Sequence, residues 1–101
     1  RAWVVGGAEA ERMIALDVRT DVDAVDVARQ GLAAATARVD AARRAFQMVD
    51  RRFTEGLAPH LEWADARQQF TAAELNLVMS RYALAARYVD LERAAALRRI
   101  Q

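Results

Sequence analysis

A chain of 101 residues with no Cys, no Lys, one Ser (Ser80) and one His (His60) forms one domain at most, and it excludes a Cys nucleophile, a Schiff-base lysine and a Cys or multi-His zinc site. Its 15 basic residues, all Arg, and 14 acidic ones leave a net charge of +1 and alternate along the chain, a pattern of solvated or salt-bridged surface rather than of a nucleic-acid binder. Alanine fills 24 positions against four Gly and one Pro, which favours thinly packed helices over a turn-rich all-β fold.

No apolar run approaches the ~18 residues of a membrane-spanning helix, and no signal-peptide pattern is present. The absence of Cys leaves the compartment open. The start at Arg1 rather than Met leads us to expect a fragment or a processed product of a larger protein.

In chain order, residues 1–7 (RAWVVGG) leave a strand remnant, a frayed helix start and tag sequence all open. From about residue 8 to 54 only Gly31 opposes a helix, at a cost of roughly 1 kcal/mol against Ala. A turn follows at about 55–60, where Gly56 suits the left-handed end of a helix. Pro59 then suits the first turn of the next helix, although Ala58 before it is a poor N-cap. The second helix is expected over about 61–99, with Glu62 in its first turn complementing the positive end of the helix dipole. At ~1.5 Å per residue the two helices would run roughly 70 and 60 Å, lengths of a coiled coil rather than of a globular domain.

Each helix carries two apolar series. On the first, Val18, Val25, Leu32, Val39, Phe46 and Phe53 recur every seven residues. Ile14, Asp21, Ala28, Ala35, Ala42 and Val49 complete that heptad seam, whose length implies a left-handed supercoil. Met13, Thr20, Val27, Ala34, Ala41 and Met48 lie two residues away in phase, on nearly the opposite side. On the second helix the series are Leu61, Gln68, Leu75, Tyr82, Val89 and Ala96, and Trp63, Phe70, Leu77, Leu84 and Leu91. One hairpin covers one seam per helix, and contiguous exposed apolar surface marks an interface. The series with Phe70, Leu77, Leu84 and Leu91 is expected to be the uncovered one, driving self-association. Periodicity alone leaves open a tube of helices with neighbours on both flanks and a dimeric four-helix bundle.

The stretch from Arg52 to Ala94 carries a sequence of short motifs. Arg52-Phe53 and Gly56 open it, Asp65-Ala66 continue it, and Ala73-Glu74-Leu75-Asn76-Leu77-Val78, Arg81-Tyr82 and Leu91-Glu92-Arg93-Ala94 complete it. In this order and spacing they resemble the C-terminal repeat of TolC-type outer-membrane factors, the exit ducts of bacterial efflux pumps and secretion systems. The match covers about residues 45–97, with Asp17-Val18-Arg19 as a weaker echo upstream.

The resemblance implies an all-α fold, a long antiparallel helical hairpin from a trimeric tunnel, located in the outer membrane and periplasm of a Gram-negative bacterium. Membrane contact would fall to parts outside this chain. It implies no enzymatic activity, no cofactor and no metal. The implied partners are further copies, a periplasmic adaptor protein and an inner-membrane transporter, with Gly56, Leu57, Ala58 and Pro59 as the tip that meets the adaptor. It also implies that Glu62 and Asp65, one helical turn apart, face the pore, where threefold repetition makes carboxylate rings that attract cations. The bland alternative is two solvated acids favourable to the helix dipole.

Family members can close the tip through a Tyr and an Arg where this chain has Phe53 and Ala58. Arg51, Arg52 or Arg67 are the available substitutes, and Trp63 stands where Val or Leu is usual. His60 has only acids near it in sequence, too few ligands for a metal site, and Asp17, Asp21, Asp23 and Asp26 spread around the helix as a solvated surface. A stand-alone coiled-coil scaffold, an adaptor-type hairpin and, last, an enzyme using Ser80 and His60 are the alternatives. The exported substrate is not legible.

Overall fold

The computed structural model describes residues 2–100, with side chains from residue 7 onward. Two helices, α1 (Ala2–Thr54) and α2 (His60–Ile100), are joined by a tight turn into a helical hairpin, with no strand among the described residues. The helix runs through Ala2–Gly7, so the strand reading of that stretch is replaced; Arg1 lies outside the described residues.

The turn satisfies the end of α1 through its own backbone. Leu57 N–H donates to the Arg52 carbonyl (2.7 Å) and Gly56 N–H to the Phe53 carbonyl (3.0 Å), the paired bonds of a Schellman C-cap. Gly56 adopts φ 76°, the one positive φ among the described residues. Trp63 N–H donates to the Pro59 carbonyl at 3.3 Å. The N-cap expected at Ala58 is therefore corrected: Pro59 is the N-cap, His60 is the first helical residue, and Glu62 falls at the third. A prolyl carbonyl still accepts the first helical bond, and the ring only removes a donor that would be unused there.

The chain divides into two compact units, Gly31–Arg81 around the turn and Arg1–Gln30 with Tyr82–Gln101 at the open end. In the turn unit the most buried residues are Ala35, Val39, Ala58 and Ala73. Alanines at such positions let helix axes approach closely, because interaxial distance follows side-chain size at the contact. Phe46 stacks against Phe70 (centroids 5.9 Å), and one heptad nearer the turn on each helix Phe53 packs tilted against Trp63 (5.6 Å). In the open-end unit Val25 and Ala94 are buried. There Arg29 donates through Nε (2.8 Å) and Nη2 to the Tyr88 hydroxyl, and its guanidinium lies 5.4 Å from that ring.

The covered seam of α1 is the Val18–Phe53 series with its partners from Ile14 to Val49, every member buried or half-buried. On α2 the expectation is reversed. Trp63, Phe70, Leu77, Leu84 and Leu91 are half-buried, whereas Leu61 (80 % exposed), Leu75 and Tyr82 (74 %) face solvent. The uncovered surface of α2 is thus Leu61, Leu75, Tyr82 and Val89, extended by Val78 and Met79, and that of α1 includes Met13, Val27 and Met48. The reason is aromatic volume. Phe46 and Phe53 offer wide flat faces that Trp63 and Phe70 fill, while Leu61 and Gln68 offer no ring to stack.

Candidate functional site: the hairpin tip

The tip is built by the last turns of α1 and the first turns of α2. Phe46, Phe53, Trp63 and Phe70 form its apolar centre, and the rings of Phe46 and Trp63 are 5.8 Å apart. Two arginines cover the Phe pair reciprocally. The Arg43 guanidinium of α1 lies 5.7 Å from the Phe70 ring of α2, and that of Arg67 of α2 lies 5.5 Å from the Phe46 ring of α1. Each such contact contributes about 0.5–1 kcal/mol at an exposed site.

Polar bonds fix the start of α2 on the end of α1. The Trp63 indole N–H donates to Asp50 Oδ1 at 2.8 Å. Arg52 Nη1 donates to Glu62 Oε1 at 2.9 Å, with both side chains less than half exposed. The pair joins the negative end of the α1 dipole, where Arg51 and Arg52 occupy the last turn, to the positive end of the α2 dipole, where Glu62 occupies the first. Each charge is therefore favoured by its own helix end as well as by its partner. Asp65, one turn further on, is exposed and accepts from Gln69 Nε2 at 3.0 Å.

Of the four expected tip-contact residues, Gly56, Leu57 and Pro59 are exposed, but Ala58 is buried under the turn. In this conformation Leu57, not Ala58, is presented at the surface of the turn. Glu62 and Asp65 do share a side of α2, yet their surroundings differ: the first is held by Arg52 and the second faces water. His60 packs against two rings, Phe53 edge-on at 5.7 Å and Trp63 at 5.8 Å. No group of three or more His, Cys, Asp or Glu residues placed to hold a metal occurs among the described residues. Ser80 is half-buried on the covered side of α2, twenty residues along the helix from His60, or about 30 Å. The two cannot act as a nucleophile–base pair.

Asp17 and Asp21 line a cleft of the open-end unit together with Asp90 and Arg93. Sequence reading missed two partnerships, Asp50 with Trp63 and Arg52 with Glu62. The second had a signal, a basic last turn facing an acidic first turn across a short loop. The first had none, since an indole and a carboxylate thirteen residues apart have no sequence signature.

The family described as outer membrane efflux protein matches this chain over residues 8–97. No curated protein and no solved structure matches it.

Proposed function

Because the chain belongs to the outer membrane efflux protein family, a family of channel components rather than enzymes, we propose that it is a stretch of periplasmic tunnel wall of a TolC-type channel. In this reading it is a passive conduit element from a longer protein of a Gram-negative outer membrane. Its neighbours are other hairpins of a trimer, and an adaptor protein and an inner-membrane transporter supply contact and energy.

The observation that carries the reading is the second, uncovered seam on each helix. A stand-alone hairpin has no use for Leu75, Tyr82 and Val89 in water. A wall of helices needs every helix to have two contact sides, roughly opposite each other. Glu62 follows Leu61 by one residue, about 100° around the helix, so it sits between the covered and uncovered seams. In a closed wall that side faces either the lumen or the outside; on the family resemblance we read it, with Asp65, as the lumen side. Leu57 at the apex is then the residue offered to the adaptor, with Gly56 and Pro59 beside it.

Sedimentation of the chain tests the wall reading. Self-association is expected at high micromolar concentration, weakened by Tyr82→Glu, which places an unpaired charge in an apolar contact, and not by Arg81→Glu on the flank. A strictly monomeric, stable, helical chain at that concentration would refute two-sided packing.

A further inference from the structure

The two acids assigned to the lumen side are not equivalent, and the difference rests on one residue of the other helix. Glu62 is bonded to Arg52, ten residues earlier in the chain, at 2.9 Å. Asp65 receives only the neutral amide of Gln69. On α1 and the turn, Asp50 accepts from the Trp63 indole, also a neutral donor, and Glu55 is exposed. We infer that Arg52 is a built-in counter-ion that withholds Glu62 from solvent cations, so that of the two acids on this side of α2 it is Asp65 that presents the standing negative charge.

The inference rests on the reading of Glu62 and Asp65 given above and deepens it by naming what regulates the site. A cation approaching the pair finds Glu62 already neutralised by a guanidinium, which repels it. Each helix dipole favours its own charge at this corner. The bridge remains exchangeable, because neither side chain is buried and exposed pairs are individually weak. Movement of the last turn of α1 away from the first turn of α2 would release Glu62 and add a second charge to the same side. Arg52 is thus a positioning residue for the charge of the mouth, and the bridge is an autoinhibitory contact.

Terbium(III) is the probe, added to the full chain in a Trp3→Phe background that leaves Trp63, next to Glu62 in sequence, as the sole indole sensitiser. Asp65→Asn should weaken the Trp63-sensitised binding on the order of tenfold, the scale of one carboxylate acting on a trivalent ion in screened water. Glu62→Gln should change it by less than about twofold, whereas Arg52→Gln should strengthen it by about tenfold on the same Coulomb scale. Adding Glu62→Gln to Arg52→Gln should abolish that gain. Circular dichroism of each variant confirms that the helices persist. Equal losses from Glu62→Gln and Asp65→Asn would overturn the counter-ion role while leaving the shared acidic face intact, and so would an Arg52→Gln variant that binds no more tightly than its parent. Sensitised binding indifferent to both acids would overturn the acidic face itself, and this inference with it.

Discussion

Phe70→Ala separates the two seams of α2. Phe70 is half-buried, stacks on Phe46 at 5.9 Å with an interplanar angle of 27°, and lies under the Arg43 guanidinium. Truncating a fully buried Phe costs about 3–5 kcal/mol, so a half-buried one loses roughly 2 kcal/mol. Losing the aromatic pair and the cation–π contact adds about 0.5 kcal/mol each at such exposure. The sum, about 3 kcal/mol, corresponds to a fall in Tm of about 12–24 °C for a domain of this size.

Tyr82→Ala is the counterpart. That ring is 74 % exposed, so its loss should change intrinsic stability by less than about 0.5 kcal/mol while weakening self-association. Because association itself raises apparent stability, Tm is measured by circular dichroism across a range of protein concentration and extrapolated to dilution. Phe70→Ala should lower the dilute-limit Tm, and Tyr82→Ala should flatten its concentration dependence. A Phe70→Ala variant that keeps its dilute-limit Tm within about 3 °C, a few tenths of a kcal/mol, but loses association would refute the assignment of the covered seam.

The glycines should respond with opposite sign. A Cβ at Gly31 meets nothing within 4 Å, so Gly31→Ala should stabilise by about 0.5–1 kcal/mol in urea unfolding. Gly56→Ala, at φ 76°, should destabilise by about 1–2 kcal/mol, and equal effects at the two sites would contradict the C-cap geometry. Trp63→Phe keeps a ring but removes the indole bond to Asp50, and should cost about 1 kcal/mol by the same unfolding assay; no change would mean that water replaces the bond without loss. In the intact channel, Glu62→Ala with Asp65→Ala should reduce cation preference in planar-bilayer recordings, since acidic rings select cations. Unchanged selectivity and unchanged block by multivalent cations would place these residues away from the pore.

Much of the architecture was legible because it is written in local chemistry. Heptad spacing from Val18 to Phe53, helix-favouring alanines and a Gly56/Pro59 corner specify two helices and a turn without reference to distant contacts. Membership of the family was legible in the motif order from Arg52 to Ala94. The acids on one side of α2 followed from spacing alone.

What periodicity by itself leaves degenerate is which seam of α2 faces α1. Leu61, Leu75, Tyr82 and Val89 repeat as regularly as Trp63, Phe70, Leu77 and Leu91, and a pattern of apolar positions holds no information about partner volume. Tertiary packing decides it: flat aromatic faces on α1 near the turn meet matching rings on only one of the two series. The same docking fixes the rotation of each helix about its axis, and that rotation buries Ala58, brings Asp50 to the Trp63 indole and sets Arg52 on Glu62. Local sequence determined the helices and the corner, because helix propensity and capping act within a few residues. The partners of individual charges belong to the tertiary structure, because a 2.9 Å bond across a turn depends on where two whole helices come to rest.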